Sequence, residues 1–166
     1  VQVRSPEQTP ISGATVVAIA DNNTTKSAST NSMGVAALTI STQRPHRLLI
    51  AHPACHGTVI DYWNPQQDLV IRLLASKNTG STVCMTTGYI DGLEGGLSPI
   101  LDTLNRTYLY ADNIAINGGK QQPVNFSIGV PLELEDCNGV VMQLRVLHIQ
   151  GGTSLLQYVR TNPSGS

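Results

Sequence analysis

Short apolar runs separated by turn-forming residues recur along the whole chain. In the first half, residues 14–20 (Ala-Thr-Val-Val-Ala-Ile-Ala), 26–30, 35–40, 47–52, 58–63 and 68–73 each carry β-branched or aliphatic residues over a strand-like length. Asp21-Asn22-Asn23 and Asn31-Ser32-Met33-Gly34 punctuate them with residues that tolerate left-handed turn geometry. No helical period emerges. Regularly spaced short strands with turn signals between them predict a sandwich or barrel.

Residues 76–82 are small and polar without apolar periodicity, which predicts a linker. Beyond it, strands are expected at 83–90, 107–110, 114–116, 124–128, 132–134, 140–149 and 154–159. Asn117-Gly118-Gly119 and Asn138-Gly139 are turn signals, the second between alternating runs, as in a hairpin. Residues 98–104 predict one helical turn, with Ser98 as cap, Pro99 at the first position and Asp102 near the capping-box place. The expectation is an all-β protein: a β-sandwich over 1–75, a small β-barrel over 83–160 and a disordered tail over 161–166.

Composition narrows the function classes. Aromatics are only 4% of the 166 residues, with single Trp63 and Phe126, so the cores must be aliphatic. Charged residues are 13%, about half the usual share, which leaves a neutral surface able to contact other protein. The net charge of −1 carries no basic run, and nucleic acid or an anionic membrane would need one. No stretch approaches the ~20 apolar residues of a membrane-spanning helix. Cys55, Cys84 and Cys137 are odd in number and widely spaced, which predicts reduced thiols and favours the cytoplasm. The chain opens mid-pattern without Met, as a piece of a longer protein would.

In the first half, Thr9-Pro10-Ile11-Ser12-Gly13-Ala14-Thr15-Val16 follows a first strand, and Thr30-Asn31-Ser32-Met33-Gly34-Val35-Ala36 follows later. These motifs, with the runs at 48–52, 58–60 and 68–73, resemble the carboxypeptidase regulatory-like, or transthyretin-like, β-sandwich family over residues 1–74. Gly13 and Gly34 fall where a tight turn meets a strand. The resemblance implies an accessory module that stabilises, spaces or binds, without catalytic residues. The second half shows no such resemblance.

Candidate chemistry is sparse. His52, Cys55 and His56 could supply zinc donors, with Asp61 or His46 as a fourth, but a strand end holding polarisable residues accounts for them as well. Nothing orients His56 to activate Cys55 as a nucleophile. Residues 91–96 (Asp-Gly-Leu-Glu-Gly-Gly) place Asp91 and Glu94 where a phosphate loop needs donors. Glu133 and Glu135 share one face of a strand beside Asp136; the plain reading is a solvated edge rather than a glycosidase pair. No catalytic residue, metal or cofactor is therefore expected. Tyr108 and Tyr110 project from one sheet face, with Asn113 and Asn117 nearby, as the expected binding surface.

The function expected is that of a non-catalytic accessory module of a larger bacterial protein. It would mediate protein interaction, or present a neighbouring effector domain within its own parent chain, with homo-oligomerisation as a further option. The alternatives are a carbohydrate- or polymer-binding module and a hydrolase using the acidic or histidine cluster.

Overall fold

A computed structural model of the chain describes residues 1–40 and 44–161. Of the expected disordered tail at 161–166, Thr161 is described and donates from its N–H and its hydroxyl to Val141 O, each at 3.1 Å, while 162–166 lie outside the described residues. Every regular element among the described residues is a strand: β1 (Gln2–Arg4), β2 (Thr15–Ile19), β3 (Thr25–Ser29), β4 (His46–His52), β5 (Cys55–Trp63), β6 (Val70–Arg72), β7 (Thr79–Met85), β8 (Gly96–Leu101), β9 (Thr107–Asp112), β10 (Ile114–Ile116), β11 (Val124–Asn125), β12 (Leu132–Asp136), β13 (Val141–Gln150) and β14 (Thr153–Arg160). The all-β expectation holds. Two compact units divide between Ser81 and Thr82.

The first unit has a four-stranded sheet in the order β3-β2-β4-β5 and a parallel pair, β1 with β6. Val16, Ala18, Leu48 and Ile50 line one sheet face and pack with Val3, Trp63, Ile71 and Leu73. Residues 35–40 were expected to form a strand, yet they join no ladder beyond a single bridge from Gln2 to Val35. Thr30 anchors the turn before them: its buried hydroxyl accepts from Ala14 N–H at 2.9 Å and donates to Ile11 O at 2.6 Å. Thr30→Val keeps the shape and orphans both groups, so a loss of about 1–3 kcal/mol is expected in denaturant unfolding. An unchanged midpoint would deny the hydroxyl that role.

Residues 79–82, expected in the linker, instead open β7. Thr79, Gly80 and Ser81 are buried, and the Ser81 hydroxyl accepts from His52 N–H at 3.0 Å and donates to Cys55 O at 2.9 Å. Small residues serve there because the backbone is enclosed.

The second unit holds a five-stranded sheet, β10-β12-β13-β14-β7, and a three-stranded sheet, β11-β9-β8. Leu97 and Leu109 of the smaller sheet share one core with Leu134, Met142, Leu144 and Tyr158 of the larger. No closed barrel forms among the described residues, contrary to expectation. At the corner after β9, Asn113 takes a left-handed conformation (φ 60°) and the chain passes to the other sheet rather than extending the ladder. Gln122 braces that corner, accepting from Ala111 N–H at 2.7 Å and donating to Ile114 O at 3.1 Å.

The expected helical turn at 98–104 is also replaced, by β8 and a hairpin turn. Leu97 N–H and C=O bond Gly88 rather than β9, so the next residue of that parity, Pro99, removes no donor from the β8–β9 ladder. Asp102 caps the turn, accepting from the N–H groups of Leu104 and Arg106 and from Arg106 Nε at 2.8 Å. The signals that suggested a helix cap belong to this hairpin.

Candidate binding face

Strand alternation decides which side chains reach solvent on the three-stranded sheet. Leu109 of β9 points into the core, so Tyr108, Tyr110 and Asp112 point outward. Their neighbours on β8 are Ile100, Ser98 and Gly96, and Asn125 of β11 lies beside Tyr108. Tyr110 is 44% exposed and Ile100 38%. Tyr89, from the β7–β8 connection, completes the face. Its ring lies over Gly96, where an added methyl would come within 3.3 Å of ring carbon Cε1 and 3.2 Å of Thr87 Cγ2. Tyr89 is itself 70% exposed. The Thr87 and Ser98 hydroxyls bond at 3.0 Å beneath it.

At the Tyr108 end, the Arg106 guanidinium carbon stands 5.8 Å from the ring centroid, a cation–π distance. Arg106, Tyr108, Asn125 and Phe126 help line a shallow recess of about 240 Å³ there. Asp102 accepts from Arg106 Nε at 2.8 Å and offsets part of its charge, while the Arg106 side chain stays 61% exposed.

Tyr108 and Tyr110 thus share a face, with Tyr89 added. Asn113 and Asn117 do not join it as ligand-facing groups. Asn113 makes the left-handed corner, and the Asn117 side chain accepts from Glu133 N–H at 2.9 Å, tying β10 to β12. Tyr158 is a core residue whose hydroxyl burial pushes its pKa up. Tyr89 escaped sequence reasoning because its place depends on a bare glycine, Gly96, on β8 beside β9. Arg106 and Asp112 were legible from alternation alone, had the expected strand at 107–110 been extended by one residue at its start and two at its end.

The other clusters come apart. His52 Nδ1 accepts from Ala54 N–H at 3.0 Å while Nε2 lies 3.1 Å from Ser12 O, and His56 Nε2 meets the Ser76 hydroxyl at 2.7 Å. Cys55 is buried, and desolvation pushes its thiol up, away from thiolate. Among the described residues no group of three or more His, Cys, Asp or Glu is arranged to hold a metal ion. Glu133 and Glu135 face outward on β12, whereas Asp136 turns to the opposite side.

Asp136 has a structural duty. Its carboxylate accepts from the N–H of Glu94, Asn138 and Val140, each at 2.9 Å. The Glu94 bond is the leading cause that holds its pKa below the usual carboxylate range, with the Val140 and Asn138 bonds adding to it. A depressed folded pKa means stability that is present above the ordinary value of about 3.9 and lost as pH falls toward the folded value. Asp136→Asn should therefore be less stable than the parent at pH 7, by a margin that shrinks on acidification through that window. Denaturant midpoints at neutral and acid pH measure it; a constant margin would contradict the assignment.

The fold and this face define an all-β, two-unit protein with an exposed aromatic sheet surface. The chain is similar to a 3′ cyclic ADP-D-ribose synthase, AaTIR, from Aquimarina amphilecti, with 33% identity over 147 residues. The match covers 89% of this chain, so most of both units takes part, but the chain spans only 45% of that relative's length. No family model matches the chain, and no solved structure does.

Proposed function

We propose that this chain is a non-catalytic accessory module of a larger bacterial protein, in which it mediates protein association and so presents a neighbouring effector domain. The observation that carries the reading is the alignment of Tyr89, Tyr108 and Tyr110 on one exposed sheet face. Tyrosines offer large, rigid contact area at low entropic cost, which suits recognition. The similarity takes up less than half of a 3′ cyclic ADP-D-ribose synthase, which leaves more than half of that relative as room for a separate effector segment. The four-stranded sheet packed against a parallel pair supports a transthyretin-like sandwich for the first unit.

The test uses the chain as bait for its partner, its parent protein included. The Tyr108→Ala/Tyr110→Ala double variant should keep its β-sheet circular dichroism and melting transition while losing capture. Capture that survives in the folded variant would remove the tyrosine face from the function.

A further inference from the structure

We infer that the tyrosine face is a homotypic docking surface, on which a second copy of this chain packs face to face with the two β9 strands antiparallel. This rests on the accessory-module reading and names its partner.

The charge order along the face points to a copy. From one end to the other, Arg106, Tyr108, Tyr110 and Asp112 share the outward parity: cation, ring, ring, carboxylate. A two-fold axis between the tyrosines reverses that order on the facing copy. Arg106 of each copy then meets Asp112 of the other, and Tyr108 meets Tyr110. Such an interface is isologous, with each contact made twice. Parallel packing would set like charge on like, so the pattern also selects the direction. Arg106 spends its Nε–H on Asp102, yet its side chain is 61% exposed and a guanidinium carries further donors.

The sheet edges argue for the face rather than strand addition. On β8, Leu97 already exchanges both backbone bonds with Gly88, and Pro99 has no N–H to offer. On the other side β11 is only two residues long, with Pro123 before it. The patch built by Tyr89, Ile100, Tyr108 and Tyr110 remains as the accessible apolar surface of this sheet. Three short strands make a small interface, so association of the isolated chain should be weak. It would gain force when parent chains hold several contacts at once.

Sedimentation analysis of the whole 166-residue chain over a wide dilution series tests this. The average mass should climb toward twice the monomer value, and Tyr110→Ala should hold it at monomer. Arg106→Glu and Asp112→Arg each place like charges together and should also stay monomeric. Their equimolar mixture restores opposite charges at both ends and should associate again. Because Arg106 also closes the β8–β9 hairpin, melting curves establish that each variant is folded, and Asp112→Arg leaves that hairpin bond in place. A wild type monomeric throughout, variants that associate like wild type, or a mixture that stays monomeric would each overturn the inference. A monomeric chain that still captures a different protein through these tyrosines would overturn it alone and leave the accessory reading standing. Capture indifferent to the tyrosines would remove both.

Discussion

Gly34→Ala should destabilise the first unit by about 2–6 kcal/mol, since a strained backbone and a steric overlap each contribute about 1–3 kcal/mol. Gly34 sits at φ +74°, a conformation L side chains resist. An added methyl would lie 2.6 Å from Val3 O and 3.2 Å from Ile11 N and the Pro10 Cα. All three are backbone atoms, and they belong to a linked set: Val3 N–H donates to Gly34 O, and Ile11 N–H to Val3 O. Moving any of them disturbs β1 and its parallel partner β6. Gly13 supplies the control, with φ +77° and nothing within 4 Å of an added methyl. Gly13→Ala should therefore cost only the conformational term, about 1–2 kcal/mol. Chemical denaturation of the two variants separates the effects; equal losses would mean that the close approach at Gly34 carries no energy.

The second large effect lies in the other unit. Leu144→Ala should cost about 2–5 kcal/mol, the range for emptying a fully buried leucine site. Leu144 of β13 is fully buried between Leu132 of β12 and Tyr158 of β14, on the core side of the five-stranded sheet. The sheet holds its neighbours at fixed spacing, so they cannot close on the cavity. Leu104, 68% exposed in the β8–β9 turn, is the contrast, and Leu104→Ala should stay within about 0.5 kcal/mol of wild type. Calorimetry distinguishes the pair, and a comparable loss at Leu104 would contradict the assigned burial.

Strand existence was legible where alternation or β-branching was strong. The run at 140–149 became β13 and Asp136-Cys137-Asn138-Gly139 its hairpin, since inward Leu134, Met142 and Leu144 leave one workable register. Local signals failed where long-range pairing decided the outcome. Ser98-Pro99 reads as a helix start until β9 lies beside it, and residues 79–82 read as spacer until Ser81 meets His52 and Cys55. The barrel expectation took β8 for a helical turn, so it counted too few strands, and it had no access to the Asn113 corner, where the sheet is left. For the binding face, the i, i+2 spacing of Tyr108 and Tyr110 was readable. Tyr89 was not, because its role comes from the space above Gly96.

We propose that the chemistry of the parent protein lies outside this module. The synthase of Aquimarina amphilecti allows the most direct measurement: formation of 3′ cyclic ADP-D-ribose by its segment similar to this chain and by its remaining segment, each purified and checked for folding. Product formation by the remainder alone is the predicted result. Product formation by the segment similar to this chain would contradict the account.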